Sequence, residues 1–184
     1  MNKMKFFRLL HIYVSLFFLP MALIYAISGI AYIFGAKDDI WADKAQYKVN
    51  ATLIKGQEQE LLLDILKEQG IKIPSNTKLR NDRKQGGLSM GGIHYVINAK
   101  QEKPDELLIT TMTRSWLGDI ILLHKDKGGW YFSVLAVGFG IALLLLYISG
   151  LIITLFASKK DRSSQLIVLA LGVIICALLA YLSV

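Results

Sequence analysis

Three long runs without a charged residue divide the chain into apolar and polar sections. Lys, Arg, Asp and Glu are absent from residues 9–36, 128–158 and 163–184. A bilayer core of about 30 Å needs about 20 helical residues, so apolar runs of about 18 or more indicate spanning helices. The pattern therefore predicts three transmembrane helices, with one long polar section held between the first two.

The first apolar run also follows a basic start, as the core of a secretory signal peptide does. Signal-peptide cores extend over only about 7–15 residues, whereas residues 9–36 form a run of 28. Retention of this run as a membrane anchor is therefore the favoured interpretation.

Short basic flanks predict the orientation of the three helices. Two clusters flank the runs: Lys3, Lys5 and Arg8 before the first, and Lys159, Lys160 and Arg162 between the second and third. Short loops rich in Lys and Arg stay in the cytoplasm. The predicted segments are therefore a cytoplasmic N-terminus with helix one (1–36), an extracytoplasmic domain (37–129), helix two (130–158), a cytoplasmic loop (159–162) and helix three (163–184).

The polar section has the mixed periodicity of a small α+β domain. Glu58 to Gln69 carries leucine and isoleucine on a helical stripe, and Gly70 follows as a stop. Residues 93–98 alternate between apolar and polar positions, as in a half-buried strand. Residues 107–112 are rich in β-forming residues, and residues 103–105 form a turn that predicts a hairpin. Residues 80–92 are expected to be a loop or a glycine-interrupted strand.

Composition limits the classes of function. The chain has 184 residues and a formal net charge of +7. Because much of this charge lies on the exported domain, no nucleic-acid function is expected. A solvated basic surface is the favoured interpretation, and an affinity for anionic partners or lipid headgroups stays open. The single cysteine, Cys176, excludes an internal disulfide and reads as a small apolar residue within the third run.

Two histidines at the ends of predicted helices are the main candidates for chemistry. His11 lies in an apolar context near the cytoplasmic end of helix one, and His124 directly precedes helix two. Imidazole is a common ligand of metals and haem iron, whereas an interfacial histidine can equally bond a backbone carbonyl or a headgroup. A helix of about 20 residues separates the two by roughly 30 Å. They are therefore not expected to ligate one iron, and a bis-histidine haem needs a second chain. His94, on the predicted strand, is expected to be structural or exposed.

The first two helices share a short sequence motif, Ser-Gly. Helix one contains Ser28-Gly29 and helix two contains Ser149-Gly150, each late in its own helix. Because consecutive helices run antiparallel, Ser149-Gly150 is expected near the depth of His11, and Ser28-Gly29 towards His124. Small residues let helices approach closely, or they make room for a flat cofactor beside a histidine. Both interpretations, packing and cofactor clearance, stay open.

These motifs together resemble those of PepSY-associated transmembrane proteins. The first-helix match comprises Arg8, His11, Ser15-Leu16, Pro20 and Ser28-Gly29-Ile30. The second-helix match comprises Leu123-His124, Gly128 and Ser149-Gly150-Leu151. The polar section, a helix followed by a β-hairpin, is similar to a PepSY domain. The resemblance identifies the chain as a small three-helix member and implies the inner membrane of a bacterium.

The resemblance also implies function. Larger relatives include inner-membrane reductases linked to ferric-siderophore or iron uptake, with haem bound by helix histidines. His11 and His124 match such ligand positions, so haem b is the cofactor to test. PepSY domains have also been proposed to regulate peptidases outside the membrane.

Two classes of function stay open, since the sequence contains no phosphate loop, paired-cysteine metal site or nucleophile elbow. The favoured hypothesis is a non-catalytic, membrane-anchored accessory or interaction protein, whose outer domain contacts a partner in iron uptake, respiration or envelope proteolysis. The alternative is an oligomeric haem-binding electron-transfer protein with His11 or His124 from two copies as axial ligands. Enzymatic activity, an iron or siderophore reductase, belongs to the second hypothesis only.

Overall fold

The computed structural model describes residues 3–83, 85–157 and 161–184. The helices among them are α1 (Lys3–Ile33), α2 (Glu58–Glu68), α3 (Trp116–His124), α4 (Trp130–Ala157) and α5 (Arg162–Ser183). The strands are β1 (Asp43–Asn50), β2 (Arg80–Asn81), β3 (Leu88–Gly91), β4 (Tyr95–Lys103) and β5 (Glu106–Thr113). Half of the predicted cytoplasmic loop, Lys159 and Lys160, lies outside the described residues.

Three helices within the described ranges, α1, α4 and α5, are long and apolar enough to cross a membrane. Their helical hydrogen bonds satisfy the backbone internally, as a lipid environment requires. No side chain of α5 is buried against the rest of the described chain. An apolar helix exposed all round is typical of one surrounded by lipid or by another protein.

The chain divides into two compact units. One ends at Ala22 and resumes from Leu135 to Val184; the other is Leu23–Val134. The first unit contains the start of α1, most of α4 and all of α5. The second contains the sheet, α2, α3 and the adjoining ends of α1 and α4.

The sheet of the second unit is antiparallel throughout, with the strand order β1-β5-β4-β3-β2. Strands β4 and β5 form the predicted hairpin around Pro104 and Asp105, with Lys103 paired to Glu106. This prediction is confirmed. Within residues 80–92, Arg80–Asn81 and Leu88–Gly91 form the short strands β2 and β3, which pair antiparallel with each other. The segment therefore contains strand, as one of the two interpretations expected, but as two paired strands and not as one interrupted strand.

Helix α2 packs on one face of the sheet and completes the core. Its buried residues are Leu62, Ile65 and Leu66, on the predicted stripe. They join a cluster of buried strand residues, namely Met90, Ile97, Ala99, Leu107 and Ile109. The predicted stop is also confirmed: Gly70 has a φ of 63° and its N–H bonds the Lys67 carbonyl, as in a glycine-terminated helix.

Two details of this domain differ from the sequence expectation. Strand β1 was not predicted, because only alternate residues of this edge strand are half-buried and the rest are exposed. Asn98 was expected on a polar face but is only 6% exposed. Its Nδ2 donates to the Gly86 carbonyl over 3.0 Å, which satisfies the buried amide.

Candidate cofactor site: two histidine–serine pairs

Helix α3 fixes the position of His124 through both of its ends. At its start, Ser115 Oγ accepts from the Gly118 N–H over 3.2 Å and donates to the Ile40 carbonyl over 2.7 Å, which caps the helix. At its end, Asp126 adopts a φ of 54°, and the Lys127 N–H bonds the Leu122 carbonyl over 3.0 Å. This left-handed motif ends the helix at His124, with Lys125 as the C-cap residue.

The ring of His124 bonds a serine of α1. Its Nδ1 lies 2.7 Å from Ser28 Oγ. The serine hydroxyl donates to the Ile24 carbonyl, one turn earlier in α1. Because that hydroxyl proton is engaged, Ser28 accepts from His124, and Nδ1 carries the ring proton. In the neutral ring the lone pair then lies on Nε2, the usual arrangement for a ligating histidine.

Aromatic and small residues of α1 frame the same ring. Tyr25 stacks on His124 with ring centroids 4.3 Å apart and an interplanar angle of 29°. A Cβ added to Gly29 would lie 3.8 Å from His124 Cε1, so the glycine faces the ring edge. Tyr32 lies one turn after Ser28 in α1. The ammonium of Lys125 lies over its ring, 4.5 Å from the centroid, in a cation–π contact.

A cavity of about 240 Å³ lies beside His124, lined by Ser28, Gly29, Tyr32, Ile121, His124 and Lys125. Ligand pockets usually measure about 300–1,000 Å³. The space at His124 is therefore smaller than a usual ligand pocket, so a macrocycle bound there would need further room beside another chain or in the lipid.

His11 bonds a serine in the same way, within the unit formed by residues 1–22 and 135–184. Its Nδ1 lies 3.0 Å from Ser149 Oγ of α4. The Ser149 hydroxyl donates to the Leu146 carbonyl over 3.1 Å, so Ser149 also accepts from the imidazole, and Nε2 again carries the lone pair. Ser15, the other serine of the α1 motif, donates to the His11 carbonyl over 2.6 Å and so contacts the backbone of its own helix.

As at His124, a glycine and a cavity lie beside the ring of His11. A Cβ added to Gly150 would lie 3.4 Å from His11 Cε1, at the limit of ordinary contact. A cavity of about 340 Å³ is lined by His11, Gly150 and further residues of α4 and α5, including Gln165. Gln165 Oε1 is buried and has no hydrogen-bond partner among the described residues. A buried polar atom without a partner beside a histidine is consistent with a missing ligand.

The pairing of each Ser-Gly with the histidine of the other segment agrees with the sequence expectation. The two sites differ in their tyrosines, because Tyr25 lies three residues before Ser28 and Tyr147 lies two before Ser149. Tyr25 consequently stacks on its histidine, whereas Tyr147 is 77% exposed. Sequence analysis missed Tyr25, Tyr32, Lys125 and Gln165; spacing of one helical turn from Ser28 was a signal for the first two.

The donor set fits one axial position per histidine. Within the described residues nothing hydrogen-bonds to Nε2 of either ring. The two histidines lie in different units, and no described group of three or more His, Cys, Asp or Glu residues is arranged to hold a metal ion. An imidazole with a bonded Nδ1–H and an available Nε2 is chemically suited to haem iron.

The third histidine has a structural partner. His94 Nδ1 lies 2.8 Å from Asp119 Oδ2, and the His94 carbonyl accepts from the Arg114 N–H over 2.7 Å. These bonds tie the start of β4 to α3. Since His94 is largely exposed and held by a carboxylate, its substitution is a suitable control for substitutions of His11 and His124.

Exposed ion pairs set the electrostatics at the far end of the sheet. Glu106 lies 2.8 Å from Lys103 and 3.0 Å from Lys48. The hydrogen bonds from Lys103 and Lys48 lower the pKa of Glu106. The bond to Glu106 in turn raises the pKa of Lys48. Near the end of α1, the bond from Lys44 lowers the pKa of Asp39.

Comparison with protein-family models, with characterised proteins and with solved structures finds no match to this chain. The resemblance to PepSY-associated proteins therefore stays a prediction carried by the quoted motifs.

Proposed function

We propose that this chain is a small PepSY-type protein of a bacterial inner membrane that binds haem b for electron transfer, with His11 and His124 as axial ligands. One observation carries the proposal: each ring bonds a serine through Nδ1 and leaves Nε2 without a described partner. A histidine that serves packing alone at a membrane helix gains nothing from an unpaired nitrogen, because unpaired polar groups cost free energy in lipid.

The proposed topology places the N-terminus in the cytoplasm and residues 37–129 outside. Basic flanks support this orientation, and three helices of spanning length support the alternation. Protease added to sealed inside-out and right-side-out vesicles tests it. Digestion of residues 37–129 only from the extracytoplasmic side is the expected result, and digestion from the cytosolic side would refute the topology.

The residues of each site have separate roles in this proposal. Ser28 and Ser149 hold the imidazole orientation and the Nδ1–H tautomer. Tyr25 covers one face of His124 and keeps water from it. Lys125, which lines the cavity beside His124, provides a cation for the acidic substituents of the macrocycle. When bound, haem b supplies one-electron transfer between a donor and an acceptor.

Each site provides one imidazole, so a second ligand must come from another chain. A homo-oligomer that pairs equivalent histidines is the simplest arrangement, because a two-fold axis brings the same surface of two copies together. Haem per chain should therefore rise with assembly. Separation of detergent-solubilised monomers and oligomers, followed by haem quantification of each fraction, tests this. Haem confined to the oligomer is expected; equal haem content in the monomer would refute sharing between copies.

A second candidate function is that of an accessory or interaction protein, including regulation of an extracytoplasmic peptidase. The free edge of β1 favours it. This strand of eight residues pairs only with β5 among the described strands, and an extended segment of a partner can add to such an edge. A proline in β1, introduced separately at Gln46 and at Tyr47, removes an N–H of the free edge at one of the two positions, since successive N–H groups of a strand point to opposite sides. Loss of a co-purifying partner, with haem content unchanged, would support this function over the first.

A further inference from the structure

A second, polar cavity lies in the Leu23–Val134 unit, and neither His11 nor His124 is among its lining residues. This groove measures about 770 Å³. It lies between the β2–β3 end of the sheet and the segment that joins α3 to α4. The cationic side chains that line it are Arg80, Arg83, Arg114 and Lys127.

The groove has an excess of positive charge. Asp82 is the single carboxylate among its lining residues within the described part of the chain. Arg80, Arg83 and Lys127 form no ion pair with a described carboxylate, and Arg114 lies 3.9 Å from Asp38. Arg114 Nε is buried and has no described hydrogen-bond partner. Buried or clustered cations without counter-charges favour an anionic ligand.

Backbone contacts hold two of these arginines in place. Arg80 Nη2 donates to the Gly91 carbonyl over 2.7 Å, and Arg114 Nη1 donates to the Ile93 carbonyl. Each guanidinium keeps further N–H groups for a ligand, since arginine has five such donors. The groove therefore has a partly preformed set of donors for phosphate oxygens.

The position of the groove relative to α4 indicates the source of the anion. Gly128, Gly129 and Tyr131 also line it, and the charge-free run begins at Gly128. Trp130 and Tyr131, at the start of α4, are 78% and 69% exposed. Exposed Trp and Tyr at the end of a spanning helix are typical of the headgroup level of a bilayer.

We propose that the groove binds the phosphodiester headgroup of an anionic phospholipid in the leaflet beside the domain. Arg80, Arg83 and Lys127 contact the phosphate oxygens, and Tyr131 lies along the glycerol end. The proposal depends on α4 as a membrane span and is independent of haem.

Gly92 gives a matched pair of variants. It lines the groove, its φ is not in the left-handed region, and an added Cβ meets no atom within 4 Å. Gly92→Glu introduces a carboxylate without a backbone clash, and Gly92→Gln introduces nearly the same volume without charge. Lys127→Glu, compared with Lys127→Gln, provides an independent second pair.

Native mass spectrometry of the full-length protein in detergent, with phosphatidylglycerol or phosphatidylcholine added, tests the proposal. We expect phosphatidylglycerol adducts to predominate and to fall about tenfold in Gly92→Glu and Lys127→Glu, as for the loss of one charge-assisted hydrogen bond. The two glutamine variants should fall less than their glutamate counterparts. Unchanged haem content in all four variants is also expected, which separates this test from that of the haem proposal.

Three results would overturn the proposal. Equal binding of the two lipids would show that the groove does not select an anion. Displacement of phosphatidylglycerol by millimolar inorganic phosphate would make the site one for soluble phosphate. Displacement by a glutamate-rich peptide, again abolished by Gly92→Glu, would assign the groove to an acidic protein partner instead.

Discussion

The Nδ1 atom of His124 lies 2.7 Å from Ser28 Oγ, although the two residues are 96 positions apart in the chain. Because the Ser28 hydroxyl donates to the Ile24 carbonyl, the imidazole is assigned as the donor of this bond. This bond joins the end of α3 to α1 and determines which ring nitrogen remains available. The corresponding bond of His11 to Ser149 joins residues 138 positions apart. Two such bonds with the same ring nitrogen are the basis of the proposed cofactor chemistry.

Removal of the serine hydroxyls should weaken haem binding without removing either ligand. Ser28→Ala and Ser149→Ala each leave Nδ1 without its acceptor, so the tautomer and the ring orientation are no longer fixed. Loss of such an outer hydrogen bond typically costs about 10- to 100-fold in affinity. Haem titration of the apo-protein measures the effect. Ser15→Ala is the control, since the bond that the described part of the chain shows for Ser15 is to a backbone carbonyl; an equal loss there would contradict the assigned roles.

Enlargement of Gly150 should displace His11. A Cβ at this position already lies 3.4 Å from the ring, so Gly150→Leu must move the imidazole or the helix. Overpacking of this kind costs about 1–3 kcal/mol. Gly140→Leu, in the same helix, is the control because a Cβ there meets no atom within 4 Å. Thermal unfolding in detergent should show a lower Tm for Gly150→Leu than for Gly140→Leu, and equal values would argue against the close contact.

The left-handed backbone of Asp126 predicts an unusual order of substitutions. Asp126→Asn keeps a residue that tolerates this conformation, whereas Asp126→Val adds a β-branched side chain at a φ of 54°. The left-handed region costs about 1–2 kcal/mol for a residue with a Cβ, and more for valine. Unfolding measurements should rank valine well below asparagine. Ser133→Ala isolates the 2.6 Å bond between Ser133 and Asp126, and should cost less than the valine substitution.

The pH dependence of stability should include a contribution from Glu106. Its pKa is lowered in the folded protein by bonds from Lys103 and Lys48, so the unfolded state binds a proton more readily. The contribution is therefore present above the ordinary glutamate pKa of about 4.3 and is lost as the pH falls through the lowered folded value. Wild type should lose more Tm than Glu106→Gln between pH 7 and pH 3. Parallel decreases would show that the pairs do not affect folding.

The sequence predicted features that depend on local periodicity. Charge-free runs predicted α1, α4 and α5, because lipid as a solvent imposes length and composition on a spanning helix. The stripe of α2 and its stop at Gly70 followed from a period of 3.6 residues. The antiparallel course of consecutive helices was sufficient to pair each Ser-Gly with its histidine.

Features that depend on helix rotation and on tertiary packing were missed. Whether Tyr25 or Tyr147 faces a histidine depends on a difference of one residue in spacing, which turns a side chain by about 100°. Gln165 approaches His11 only through the packing of α5 in its unit. Strand β1 has too few apolar residues for its pattern to be distinguished from a loop. The groove brings together residues from six stretches of the chain between Asn76 and Tyr131.

The reduced-minus-oxidised absorption spectrum of the purified full-length protein measures whether His11 and His124 bind haem. Wild type and His94→Ala should show a reducible Soret band, because His94 is held by Asp119 and takes no part in either site. His11→Ala and His124→Ala should each reduce the band, and the double variant should abolish it. An intact wild-type protein without a Soret band, or a double variant that retains the full band, would contradict haem ligation by these histidines.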